Sequence, residues 1–130
     1  MPQRIAPARY LAAIVAALAG LGPAGAVDLE AAHQQFVTSC GVCHTTVQGE
    51  PQRQGPSLHG VFGRQAGRLA GFAYSNVLKA GGWRWDEATL DPWIADAHEA
   101  HPGTTMVYRQ ADPAKRALII EYLKSLSPAE

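Results

Sequence analysis

The chain is predicted to be all-α, a single helical domain behind a removable leader, and three features predict it. Residues Leu29, His33, Phe36, Val37 and Cys40 recur at helical spacing near one end, and Leu118, Ile119, Tyr122, Leu123 and Leu126 do so near the other. No segment alternates apolar and polar residues as a half-buried strand would, and no repeat or linker divides the chain. A length of 130 residues leaves room for one core and not for two. The composition, 47% hydrophobic and 17% charged, is that of a globular chain. Eleven basic residues balance eleven acidic ones, so no excess of positive charge is present to hold phosphates, and no nucleic-acid partner is expected.

The first element is the leader. Arg4 and Arg9 precede an apolar run from Tyr10 to Leu21, and the small residues Ala24-Gly25-Ala26 follow. That order is the order of a secretory signal peptide, here residues 1–26. The competing reading, a retained anchor, has only the uncharged stretch from Tyr10 to Val27, which is barely long enough and is broken by Gly20, Gly22 and Pro23. With cleavage after Ala26, no stable membrane insertion is expected. The mature domain, residues 27–130, then keeps nine basic and eleven acidic side chains, a formal charge of −2.

The first helix of that domain runs into Cys40-Gly41-Val42-Cys43-His44, which holds both cysteines of the chain. A redox-active Cys-x-x-Cys pair belongs beside a strand in a βαβ unit, and no strand pattern precedes this one. Structural zinc needs four ligands, and two cysteines leave scattered histidines to complete the set. Covalent haem attachment explains the spacing. Two sulfurs three positions apart on a tightening helical turn reach one edge of a porphyrin and bond its vinyl-derived carbons, while the adjacent His44 offers its imidazole to the iron. For the other face of the iron the candidates are His33, His59, His98, His101, Met1 and Met106. Met1 leaves with the leader, and His33 shares the helix of the attachment site. Met106 is favoured, because Pro102-Gly103-Thr104-Thr105 forms a rigid, helix-breaking approach to it. His59, His98 and His101 remain alternatives.

These residues, with others in order along nearly the whole mature chain, resemble the class I cytochromes c of bacterial periplasmic and mitochondrial type. The matching segments are Cys40 to His44, Gly55 to Arg64 (Gly-Pro-Ser-Leu-His-Gly-Val-Phe-Gly-Arg), Gly71-Phe72-Ala73-Tyr74-Ser75, Trp85, the Pro102 to Met106 loop and Tyr122-Leu123-Lys124. The resemblance implies crossed N- and C-terminal helices, with short helices and loops wrapped round one haem c bound covalently through Cys40 and Cys43. It implies His44 and Met106 as axial ligands, with the carbonyl of Pro56 orienting the His44 imidazole. Arg64, Tyr74, Ser75 and Trp85 match positions that hold a buried haem propionate, and Thr104 matches a hydroxyl near the same pocket.

The implied function is that of a soluble, monomeric, periplasmic one-electron carrier rather than an enzyme. It would shuttle between respiratory, photosynthetic or dehydrogenase redox partners. Two alternatives are a haem subunit fixed to a periplasmic dehydrogenase and a peroxidase or gas-binding protein with Met106 displaced.

The remaining elements follow in order. Ser75 is expected to cap a short helix that stops at Gly81-Gly82. A further helix is expected to begin near Asp86 to Thr89 and run through Trp93 and Ile94, with Pro92 making its first turn irregular and delaying the regular helix to near Asp91. His98 and His101 read as a solvated helix end and loop, able to gain positive charge in acidic surroundings. Asp112 caps the last helix with Pro113 in its first position, and Phe36 is expected to meet Ile119 and Tyr122 where the terminal helices cross. Three departures from the relatives stand out. Ala32 replaces a glycine at that crossing, which would set the helices slightly apart, and Trp93 replaces a tyrosine near the methionine sulfur, which would alter the potential. The lysines that commonly ring the haem edge are replaced by Gln34, Ser39, His98, Glu99 and Thr105, with Arg53 and Arg109 as the basic contributors.

Overall fold

A computed structural model describes residue 2 and residues 25–128. Met1 and the leader, apart from residues 2, 25 and 26, lie outside the described residues. The elements are α1 (Leu29–Ser39), α2 (Asn76–Lys79), α3 (Glu87–Ala95), α4 (Ala97–Ala100) and α5 (Pro113–Ser125). Among the described residues there is no strand, only the isolated bridges Gln65 to Arg84 and Asp96 to Arg109. No helix among them is long and apolar enough to cross a membrane.

Both terminal helices start on an aspartate that satisfies otherwise unpaired backbone donors. The Asp28 carboxylate accepts from Glu30 N at 3.0 Å and Ala31 N at 3.2 Å. Asp112 accepts from Ala114 N at 2.9 Å, and Pro113 occupies the first position, where its missing N–H removes no bond. Each cap contributes about 1 kcal/mol. Helix α1 buries Ala32 and Phe36, and α5 buries Ile119, Ile120 and Leu123. The two helices pack together as expected, with the Phe36 and Tyr122 rings 4.9 Å apart and Ile119 in the same core. His33 covers the outer side of that contact, 5.0 Å from the Tyr122 ring.

Helix α3 begins within the expected Asp86 to Thr89 stretch and corrects only the irregular first turn expected from Pro92. It starts at Glu87, four residues before Asp91, and its first turn is regular. A reciprocal capping box is the reason: Thr89 N donates to the Asp86 carboxylate and Asp86 N donates to the Thr89 hydroxyl, both at 2.9 Å. Those bonds hold the exposed Asp86 carboxyl below its usual range. Pro92 is accommodated inside the helix, losing one backbone bond. Leu90, Trp93 and Ile94 turn inward, and Arg116 on α5 clamps Asp91 at 2.7 Å.

A second correction concerns Ser75. It stands at the N-cap position of α2, but its hydroxyl makes no capping bond. The helix does close before Gly81, as expected.

Helix α4 was not expected as an element. Asp96 creates it by accepting from His98 N at 3.1 Å and Glu99 N at 3.2 Å, while its other oxygen pairs with Arg109 at 2.7 Å. One aspartate thus caps α4 and closes the base of the segment that follows.

The packing of α1 on α5 leads to a stability prediction. Ile119 is 1% exposed, so Ile119→Ala is expected to destabilise the holoprotein by about 2–5 kcal/mol in guanidinium unfolding. Lys115→Ala, on the exposed side of α5, should stay within about 0.5 kcal/mol. Equal effects would mean that the helix crossing does not carry the core.

Candidate functional site

The core side chains surround a cavity of about 460 Å³, and all ten residues assigned from the sequence line it: Cys40, Cys43, His44, Pro56, Arg64, Tyr74, Ser75, Trp85, Thr104 and Met106. None of His33, His59, His98 and His101 does. The rest of the lining is largely apolar, including Leu58, Val61, Leu78, Leu90, Trp93 and Ile94, with Ser39, Gln54 and Thr105 among the polar exceptions.

One wall forms locally. Cys40 ends α1, and both Cys43 N and His44 N donate to the Cys40 carbonyl, at 3.1 and 3.0 Å. That turn brings both sulfurs and the imidazole to the same side of the backbone as the cavity. Burial, with the neighbouring Cys43, pushes the Cys40 thiol up to about 12.

His44 is oriented by its partner. Its Nδ1 lies 2.8 Å from the Pro56 carbonyl, which only accepts, so Nδ1 carries the proton and Nε2 keeps its lone pair. Burial lowers the imidazole below its usual range, against the opposing effect of the Pro56 bond, and the ring is held neutral. Gly55 makes this approach possible. A Cβ at that position would sit 2.3 Å from His44 Cε1, and Gly55 N donates to the Cys43 carbonyl at 2.8 Å. Gly55 was not assigned a role from the sequence. Its place directly before Pro56 was the only local signal.

A second wall is polar. The Arg64 guanidinium donates to the Ser57 carbonyl at 3.0 Å and the His59 carbonyl at 3.2 Å, and burial lowers its pKa from the ordinary value. Tyr74 packs edge-on against Phe72 at 4.8 Å. The Ser75 hydroxyl oxygen, free of its capping role, is buried without a partner. A buried unpaired hydroxyl and a part-buried guanidinium lining the same cavity fit an acidic group of a ligand, because an unpaired polar group is costly to bury.

The third wall is the segment after α4. Thr104 is buried and Met106 half-buried, while Thr105 and Val107 on either side of the methionine face solvent. Thr104 N donates to the His101 carbonyl at 3.2 Å, and Met106 N lies 3.5 Å from the Thr104 hydroxyl. His101 corrects the expectation of a solvated loop. Its ring lies flat on Trp83, with centroids 3.9 Å apart and planes 5° apart, and burial lowers its pKa. His98 is exposed, as expected.

Comparison with known proteins identifies the family. Residues 29–127 match the family Cytochrome c. A cytochrome c of Ginkgo biloba is 39% identical over 104 residues, 79% of this chain and 92% of that protein. Cytochrome c2 iso-2 of Magnetospirillum fulvum is 46% identical over 88 residues, 67% of this chain and 91% of its own. Among solved structures, cytochrome cH from Methylobacterium extorquens superposes with a TM-score of 0.69 at 40% identity, over 76% of this chain and 99% of that one. The chain belongs to the cytochrome c family. Proteins of this family are electron carriers and not enzymes, act with redox partners, and hold haem c covalently through cysteine, for which this chain has Cys40 and Cys43.

The Gly55 contact yields a prediction. Gly55→Ala must displace either the His44 ring or the 53–56 loop, and the resulting strain should destabilise the holoprotein by about 1–3 kcal/mol with a changed haem absorption spectrum. An unchanged spectrum with unchanged stability would show that the imidazole has room to spare.

Proposed function

We propose that the mature domain, residues 27–130, is a soluble, monomeric, periplasmic one-electron carrier, released from its leader after export, with haem iron held between His44 and Met106. The observation that supports this most is that both cysteines, His44 and Met106 line one cavity. When bound, haem c supplies the iron that takes up and gives back one electron.

The side chains define what that iron experiences. Pro56 fixes the His44 tautomer and makes the imidazole a better donor. The neutral, soft sulfur of Met106 favours the reduced metal, so the potential is positive. Arg64, Tyr74, Ser75 and Trp85 would hold one propionate, which would give the orphaned Ser75 hydroxyl a partner. Trp93, which also lines the cavity, tunes the potential away from that of relatives with tyrosine in its place.

Docking relies on apolar surface. Val42, between the cysteines, is 85% exposed, and Val107, next to Met106, is 78% exposed. The two basic residues expected near this edge are each matched by an acid: Arg53 lies 3.7 Å from Glu50 and Arg109 2.7 Å from Asp96. Long-range steering is correspondingly weak. Partial burial of His101 lowers its pKa, so it gains the positive charge expected in mildly acidic surroundings less readily.

Two measurements test this reading. Met106→Ala is expected to keep its haem but lose the sulfur-to-iron charge-transfer band, drop in potential and bind external ligands. Persistence of the band would remove Met106 from the ligand set. In stopped-flow experiments with its redox partner, the second-order rate should fall less than about threefold between low and physiological ionic strength. A fall of ten-fold or more would show that charge governs the encounter.

A further inference from the structure

Met106 sits in a segment with little regular structure, and what holds that segment is visible in the packing. Its base is closed by the Asp96–Arg109 ion pair and by Gln110 N donating to the Ile94 carbonyl at 3.0 Å. Its beginning follows α4, a helix of only four residues. Between His101 and Met106, Pro102, Gly103 and Thr105 are exposed and only Thr104 is buried. An isolated single turn of helix is too short to be stable on its own. The start of the segment therefore needs a tertiary anchor.

The ring of His101 supplies one. It lies face to face on Trp83 at 3.9 Å and is 5.8 Å from Trp93. Trp83 is itself fixed. Its carbonyl accepts from Ala66 N at 2.9 Å, its ring meets Trp85 edge-on at 5.6 Å, and Gly81 leaves the space it occupies, since a Cβ there would lie 2.6 Å from the ring. Neither His101 nor Trp83 lines the cavity, whereas Trp85 and Trp93 do. The stack thus joins the outside of the aromatic wall to the segment that carries Met106.

From His101 to Met106 the path is short and stiff. Pro102 has a fixed φ, Gly103 takes a φ of +95° that a side chain would strain, and the Thr104-to-His101 backbone bond closes the turn. We infer that the His101–Trp83 stack is a positioning device that keeps Met106 seated in the cavity, an inference that rests on Met106 being the iron ligand proposed above.

The test uses the holoprotein and two readouts, the displacement of the sulfur by external imidazole, followed at the charge-transfer band, and global unfolding in guanidinium. His101→Ala is expected to bind imidazole about tenfold more tightly than the parent, the size of one lost aromatic pair, and by more than its loss of global stability accounts for. His101→Phe, which keeps a flat ring, should return to within about twofold of the parent. Trp83→Leu supplies the same test from the other ring, and adding His101→Ala to it should change little further, because the shared contact is already gone.

The inference is overturned if His101→Ala binds imidazole as the parent does, if His101→Phe fails to rescue, or if the two substitutions act additively. A parent protein without the charge-transfer band would instead bring down the ligand assignment, and this inference with it. A parent with the band, lost in Met106→Ala yet unaffected at His101 and Trp83, would bring down this inference alone.

Discussion

The fold is organised by a volume that its own side chains do not fill. A protein interior tolerates few voids larger than a water molecule, yet the buried face of every element longer than one turn here ends on the wall of a 460 Å³ cavity. Leu90, Trp93 and Ile94 of α3 and Ile119 and Leu123 of α5 border it, and the end of α1 delivers Cys40 to it. These side chains are buried in the core and present an apolar wall to the cavity. A flat, largely apolar group with one acidic edge completes both the hydrophobic packing and the hydrogen-bonding needs of Arg64 and Ser75.

The His44 and Met106 walls of the cavity are built on different principles. On the His44 side the determinants are adjacent in sequence, a helix end, a tight turn and a loop that returns as Gly55-Pro56 to meet the imidazole from below. On the Met106 side the determinants are distant. Asp96 and Arg109 close the base, while Trp83, far back along the chain, receives His101. A wall with a hydrogen-bonded imidazole and a wall held by stacking and one ion pair differ in how easily they open, and the Met106 wall is the easier of the two.

This difference also explains what was legible in the sequence. The Cys40 to His44 run, the terminal helices and the Met106 segment carry local signals: spacing, caps, and Pro-Gly punctuation. The start of α3 is also legible near Asp86 to Thr89, whereas the regularity of its first turn is not, because the capping box of Asp86 and Thr89 outweighs the disruption that Pro92 suggests. Helix α4 has too few residues to show a period. The flat His101 stack depends on where the 81–85 loop returns, and no spacing along the chain encodes that. Ser75 looked like a cap because the residue type fits, and only burial reveals that its hydroxyl is left for something else.

The central claim is that the cavity is completed by one haem bound through both cysteines. It is tested most directly by denaturing mass spectrometry of the mature protein, exported from a cell that has haem-maturation machinery, together with a thiol titration. The account predicts the mass of residues 27–130 plus one haem and no titratable thiol. A folded protein with the mass of the bare chain and two reactive thiols would contradict it.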